Sequence, residues 1–68
     1  MNVQSETFSL RIRKNRQHAV IADVVKLADG RFSLLALRPH QGWCPNVLPE
    51  GGPWESINEV RSAVKVAL

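Results

Sequence analysis

The amino-acid sequence predicts an α+β fold in which a three-stranded antiparallel sheet is followed by a long loop and one C-terminal helix packed on one face of the sheet. Three observations predict it. Residues 8–13 alternate between apolar and polar side chains, as a half-buried strand does. Asp29-Gly30 stands between two apolar runs, where it is typical of a β-hairpin turn. Ser56 and Glu59 match a helix capping box, and apolar residues follow at helical spacing.

The strands are predicted over residues 7–13, 19–28 and 31–38. In the first, the apolar side chains at 8, 10 and 12 share one face. The second is rich in β-branched residues, which favour strands. A polar turn centred on Asn15-Arg16 joins these two strands, because Asn tolerates turn conformations. Pro39 is expected to end the third strand, since proline cannot donate a ladder hydrogen bond.

The remaining chain predicts a loop and a helix. Residues 39–53 contain all four prolines and three of the four glycines, which is typical of a loop. The helix is predicted over residues 57–68, with Ile57, Val60, Val64 and Leu68 on one apolar face. Trp54 is expected to anchor the helix entry in the core.

Length and composition favour one small domain without catalytic activity. The 68 residues support a single domain over 7–68 after a flexible leader at 1–6. So short a chain leaves little room for a substrate cleft beside a core, so we expect a non-enzymatic protein. The single cysteine allows no internal disulfide, and no apolar run is long enough to span a bilayer. These features predict a cytoplasmic protein with no membrane partner.

Hairpin geometry sorts the side chains onto two faces of the sheet. With Asp29-Gly30 and Asn15-Arg16 as turn centres, Ile12 faces Ala19 and Ala22 faces Leu37. The predicted helix-covered face then collects Phe8, Leu10, Ile12, Ile21, Val25, Leu27, Phe32, Leu34 and Ala36. Asp23 is the charged exception on that face, and we expect it to pair with Arg38 at the sheet margin.

The opposite, open face is predicted to carry a second apolar strip, formed by Val20, Ala22, Val24, Leu35 and Leu37. One helix covers only one side of a sheet, so this strip needs another cover. One expectation is that the loop folds back over it, with Trp43, Val47 and Leu48 as the lid. The other is that a partner protein or a second copy binds there, or at a strand edge. The predicted partner-interface residues are Val20, Val24, Leu35, Leu37 and Trp43.

A basic stretch carries the alternative functional prediction. Its four cations are Arg11, Arg13, Lys14 and Arg16, and no acidic residue lies between Glu6 and Asp23. Such a hairpin could track the phosphates of a nucleic acid. The simpler interpretation is a solvated turn whose charges keep an edge strand soluble. The predicted open face also lacks an aromatic side chain for base stacking.

No metal, cofactor or small-molecule substrate is predicted. A structural zinc site needs four ligands, usually in closely spaced pairs, and the chain offers one cysteine. Cys44 and His40 share the loop, but nothing marks a group that would orient the histidine as a base. A packed, unreactive thiol is the expected state of Cys44.

Two resemblances accompany these patterns. The ending Gly52-Pro53-Trp54-Glu55-Ser56-Ile57-Asn58-Glu59-Val60, after a hairpin, resembles that of small uncharacterised bacterial domains of strand-strand-strand-helix layout, and it implies no activity. The β-β-β-α order is similar to the sheet-reading DNA-binding domains of plant AP2-type factors and of some phage integrase arms. That resemblance implies an open sheet face in the major groove, a use that Arg11 and Arg13 fit. The predicted aliphatic strip on the open face does not fit that use, so the resemblance concerns topology alone.

Together these observations lead to a first hypothesis and an alternative. The first is a small protein-interaction module that self-associates or docks a partner through the open face or a strand edge. The alternative is a nucleic-acid-binding domain that uses the basic first hairpin.

Overall fold

The protein folds as a three-stranded antiparallel sheet followed by one helix, which confirms the predicted α+β class. The computed structural model describes residues 6–68. The elements are β1 (Glu6–Asn15), β2 (His18–Lys26), β3 (Phe32–Gln41) and α1 (Ile57–Ala67). The strand order β1-β2-β3 leaves β1 and β3 at the two edges. Residues 1–5 of the predicted leader lie outside the described residues, and Glu6 already belongs to β1.

The turn between β1 and β2 lies one residue later than predicted. Arg16 and Gln17 form it. The Asn15 side chain holds it, because its Oδ1 accepts hydrogen bonds from the backbone N–H groups of Gln17 at 2.8 Å and His18 at 3.0 Å. A register shift between Arg13 and Asn15 accommodates this cap.

This turn changes the pairing of β2 and reverses its two faces. Ile12 pairs with Val20, whereas the sequence predicted Ala19. A one-residue shift moves every side chain of a strand to the opposite face. Val20, Ala22 and Val24 are therefore fully buried in the core, and their predicted place on the open face is wrong. The apolar pattern of β2 alone does not fix this register, because the strand is apolar on both sides.

The second hairpin is also one residue longer than predicted. The Leu27 N–H donates to the Arg31 carbonyl at 2.7 Å, and the Gly30 N–H donates to the Leu27 carbonyl at 3.0 Å. Residues 28–30 therefore form a three-residue loop. Gly30 has φ of 91°, the left-handed conformation that closes such a loop and that glycine adopts at little cost.

A bulge in β3 then restores the predicted register. The pairing with β2 shifts at Leu35, which stands 52% exposed. Beyond the bulge, Leu37 pairs with Ala22 as predicted. Ala36 pairs with Asp23, as the predicted register also implies, but the pair lies on the open face and not under the helix.

Strand β3 continues to Gln41, so the prediction that Pro39 ends it is wrong. Pro39 pairs with Val20 inside the strand. Because β3 is an edge strand, one side of its backbone has no partner strand, and a missing N–H is tolerated there.

Trp54 joins the end of the long loop to the sheet. It forms an isolated antiparallel bridge with Phe32, in which each backbone N–H donates to the other residue's carbonyl at 2.7 Å. Its half-buried side chain packs against the core, as predicted. Phe32 also makes an edge-to-face contact with Phe8, with ring centroids 6.1 Å apart. The helix entry is thereby fixed to both edge strands.

Helix α1 begins where the capping box predicts. Ser56 is the N-cap, and its Oγ accepts the Glu59 N–H at 3.2 Å. The Glu59 carboxylate reaches back to the Glu55 N–H at 3.1 Å, not to the Ser56 N–H as predicted. Val60 and Val64 are fully buried against the sheet. The helix ends at Ala67, one residue earlier than predicted, and Leu68 caps it.

Candidate nucleic-acid interface

The open face is the sheet surface opposite α1, and its membership follows from the register. It consists of Thr7, Ser9, Arg11, Arg13, Ala19, Ile21, Asp23, Val25, Ser33, Leu35, Ala36 and Arg38. The face is mostly polar, because the aliphatic residues Val20, Ala22, Val24 and Leu37 lie in or against the core. The second apolar strip predicted from the sequence is therefore absent from the described residues.

The β1–β2 hairpin presents four exposed cations, here called the basic hairpin. Arg11 and Arg13 stand on the open face, and Lys14 and Arg16 lie at the tip; all four are exposed. Lys14 occupies the position where the register shifts, next to the Asn15 cap. The same local geometry that sets the turn therefore brings the cations to one end of the sheet.

None of these four cations has a carboxylate partner among residues 6–68. The ion pairs in that range are Arg31–Asp29 at 2.7 Å and Arg38–Asp23 at 2.9 Å. The chain has nine Lys and Arg and six Asp and Glu, for a net charge of +3. The four hairpin cations alone contribute +4, so the five basic and six acidic residues elsewhere sum to −1. The protein's positive charge is thus concentrated on one hairpin.

A polar network crosses the three strands at the middle of the open face. The Asp23 carboxylate accepts from the Ser9 hydroxyl at 2.8 Å and from Arg38 Nε and Nη2 at 3.0 and 2.9 Å. Hydrogen bonds from Ser9 and then from Arg38 hold the pKa of Asp23 below its ordinary value. The expected Asp23–Arg38 pair is confirmed, but on the open face. Asp23 neutralises Arg38 and leaves the basic hairpin unpaired.

An exposed aromatic residue follows the end of β3 beside the hairpin tip. The Gln41 side-chain amide donates to the Arg16 carbonyl oxygen. Gly42, with φ of 76°, packs so closely on the Gln17 carbonyl that a Cβ would not fit. Trp43 comes next and is 57% exposed. The fold thus supplies an aromatic side chain near the tip, which the sequence pattern did not reveal because it depends on β3 running past Pro39.

The structure disperses the predicted partner-interface residues. Val20 and Val24 are fully buried beneath α1, and Leu37 packs against the same core. Leu35 and Trp43 remain exposed, at 52% and 57%. In the predicted lid, Val47 and Leu48 are also exposed, so the loop does not fold its apolar side chains over the open face.

The histidines and the cysteine do not assemble into a cluster. Over residues 6–68, no group of three or more His, Cys, Asp or Glu side chains lies close enough together to hold a metal ion. Cys44 is half-buried and packs against the core, and its thiol lies 3.7 Å from the Pro45 carbonyl oxygen. The described part of the chain also contains no helix with the length and apolar character to cross a bilayer.

Comparisons with protein-family models, with curated proteins and with solved structures found no match to this chain. The two resemblances drawn from the sequence stay predictions.

One signal in the sequence could have identified the open face. Any register that puts Asp23 on the side opposite α1 also puts Val20 and Val24 in the core. A charged residue is rarely buried without a partner, so the position of Asp23 decides between the two registers. The apolar pattern of β2 alone does not.

Proposed function

We propose that this chain is a nucleic-acid-binding domain whose basic hairpin holds phosphates. The observation that carries the proposal is the concentration of four exposed, unpaired cations on one hairpin of a chain that is otherwise slightly acidic. Exposed Lys and Arg release counterions from a nucleic acid, which is the main source of sequence-independent affinity.

The site favours backbone contacts over base reading. Arg11 and Arg13 are two positions apart on one strand, so their side chains lie about 6.6 Å apart along the same face. Lys14 and Arg16 continue the charge beyond the end of the sheet. Contacts of this kind position a protein on a nucleic acid and carry little sequence information.

Trp43 supports a single strand as the ligand. An exposed aromatic side chain can stack on an unpaired base, and such a stack contributes about 1–3 kcal/mol. Bases in a duplex are already stacked on each other and do not offer this contact. Trp43 near the cationic tip therefore favours single-stranded DNA or RNA.

The proposal is tested by fluorescence anisotropy with a labelled single-stranded 20-mer and its duplex over a range of salt concentrations. Four phosphate contacts to a single strand should give a slope of log K against log salt of about −2.8. The double variant Arg13→Ala/Arg16→Ala should roughly halve that slope. The matched control Lys26→Ala/Lys65→Ala removes the same charge from exposed sites away from the four cations, at the far end of β2 and on α1, and should leave the slope nearly unchanged.

The aromatic contact is tested in the same titration. Trp43→Ala should weaken single-strand binding about 5- to 150-fold, which corresponds to the stacking energy, and should affect the duplex much less. Val47→Ala truncates an exposed apolar residue of the same loop and serves as the control.

Absence of binding to any strand at 50 mM salt, or equal losses of slope in the hairpin double variant and the lysine double variant, refutes the proposal.

The first sequence hypothesis, a protein-interaction module, has lost the strip on which its open-face version depended. A strand edge is the version that the structure still allows.

A further inference from the structure

The two edges of the sheet differ in how they are protected. On β3, the backbone of Phe32 is already bonded to Trp54, Leu35 forms a bulge, and Pro39 lacks an N–H. Each of these features prevents another strand from pairing. On β1, the contact to the outer edge among residues 6–68 is one hydrogen bond of 3.4 Å from Arg61 Nη1 to the Arg11 carbonyl. The β1 edge is therefore the one able to accept a strand.

That contact also shows which backbone groups face outward. The Arg11 carbonyl bonds to α1, so it points away from β2. In an antiparallel strand, residues alternate between bonding to one side and to the other. Thr7, Ser9, Arg11 and Arg13 therefore direct their N–H and C=O groups to the free edge.

We infer that a second copy of this chain pairs with β1 in an antiparallel register centred on Leu10, which joins two sheets into one of six strands. The charge pattern of β1 is complementary to itself in this register. The facing pairs are Glu6 with Lys14, Thr7 with Arg13, Phe8 with Ile12, Ser9 with Arg11, and Leu10 with Leu10. Each arginine meets a hydroxyl, and the single acid meets a lysine, in both symmetric halves.

Neighbouring registers lack this complementarity. A shift of the two-fold centre to Arg11 places two arginines directly opposite each other, which is destabilising. A shift to Ser9 sets Glu6 against Ile12 and leaves Lys14 without an acid. Both alternatives keep the helices on the same side of the joined sheet, so charge decides among them.

The sheet leaves room for both helices. Helix α1 contacts β1 and β3, so it lies across the middle of its own sheet. Two such helices would be about 14 Å apart, three strand spacings of about 4.8 Å. This exceeds the 8–10 Å of packed helices, so the helices do not collide. Phe8 and Leu10, half-buried in one copy, would be covered in the pair.

Pairing also extends the basic surface. Arg13 and Arg11 of one copy and Arg11 and Arg13 of the other would form a row across the open face at intervals of about 6.6 Å. The inference concerns association alone and does not depend on the proposed function, because it is tested without nucleic acid.

The test is a charge exchange measured by sedimentation equilibrium. Glu6→Lys or Lys14→Glu places like charges opposite each other in both symmetric pairs and should weaken the dimer at least about tenfold. The double variant Glu6→Lys/Lys14→Glu should restore the dissociation constant to within about threefold of the unaltered chain. Within one chain these residues stand about 26 Å apart on one strand, so only pairing between copies explains a rescue.

A cross-link provides a second measurement that does not depend on charge. In a Cys44→Ser background, Leu10→Cys should form a disulfide-linked dimer on mild oxidation, because the Cα atoms would be about 4.5 Å apart. Phe8→Cys is the register control. Its Cα atoms in the two copies would be about 13 Å apart, so no cross-link should form. A chain that stays monomeric up to about 1 mM, or a double variant that remains as weak as the single ones, overturns the inference.

Discussion

At the scale of single residues, Asp23 determines much of the character of the open face. Its carboxylate takes hydrogen bonds from β1 through Ser9 and from β3 through Arg38, so one side chain ties three strands together. It is also the carboxylate at the centre of a face whose other charged residues are Arg11, Arg13 and Arg38. Asp23 therefore contributes to stability and limits the positive charge of the surface at the same time.

The protonation of Asp23 makes stability depend on acid pH. The pKa of its carboxyl is lower in the folded state than the value of about 3.9 expected when unfolded. The folded state then binds fewer protons, so the stabilisation is present above that unfolded value and is lost as the pH falls through the folded one. Asp29, held by hydrogen bonds from Arg31, behaves in the same way.

We predict that Asp23→Asn lowers the free energy of unfolding at pH 6 and reduces its further loss between pH 5 and pH 2. Urea denaturation followed by circular dichroism at each pH measures both. Asp29→Asn removes the other acid-sensitive pair, and the double variant should show the smallest pH dependence. An Asp23→Asn protein with an unchanged acid profile would contradict the assignment. Because the Asp23 and Arg38 side chains are partly exposed, added salt should diminish the effect of Asp23→Asn on the free energy of unfolding.

The Asp23–Arg38 pair could be predicted from the sequence, although the predicted register put it on the wrong face. The two residues were expected to meet because a lone charge on a sheet needs a partner, and they do. The face was wrong, since the sequence-based register placed the first turn one residue too early. An asparagine can cap a turn from a flanking position as well as from its centre, and composition does not distinguish the two.

At the scale of elements, the helix was the most predictable part. Its start depends on contacts within four residues, which a sequence displays directly. The Ser56 hydroxyl satisfies an N–H group that the first turn would otherwise leave unbonded. The Glu59 carboxylate accepts the N–H of Glu55, the residue before the N-cap.

We predict that Ser56→Ala lowers the free energy of unfolding by about 1 kcal/mol, because the N-cap acceptor is lost. The midpoint of urea denaturation measures this change. Ser62→Ala is the control, since Ser62 is exposed within the helix and alanine favours helices by roughly 0.5 kcal/mol. Equal effects of the two substitutions would show that the cap contributes nothing specific.

The strands were predictable in number and order but not in their ends. Pro39 was expected to stop β3, yet the strand lies at an edge where a missing donor costs little. The bulge at Leu35 and the three-residue loop closed by Gly30 compensate for each other, which no local pattern reveals. The four cations of the candidate site were predicted from the sequence. The approach of Trp43 to the tip was not, because it depends on where β3 ends.

At the scale of the whole molecule, the chain is elongated and has a small core. It measures 43 × 18 × 17 Å, and its radius of gyration of 12.1 Å exceeds the roughly 11 Å expected for a compact domain of this length. The five largest fully buried side chains are Ile12, Val20, Val24, Val60 and Val64. A core of this size leaves a narrow stability margin, so the face on which each aliphatic residue lies decides whether the chain folds.

Two aspartate substitutions test this assignment of faces directly. We predict that Val24→Asp prevents folding, because it buries a charge beneath α1 where the side chain is fully enclosed. Leu35→Asp, on the open face at 52% exposure, should change the free energy of unfolding by less than about 1 kcal/mol. Far-UV circular dichroism and urea denaturation of both variants decide the matter. The register predicted from the sequence places both residues on the open face, so it expects both variants to fold. A folded Val24→Asp protein would therefore restore that register. It would also remove the polar open face on which the nucleic-acid proposal depends.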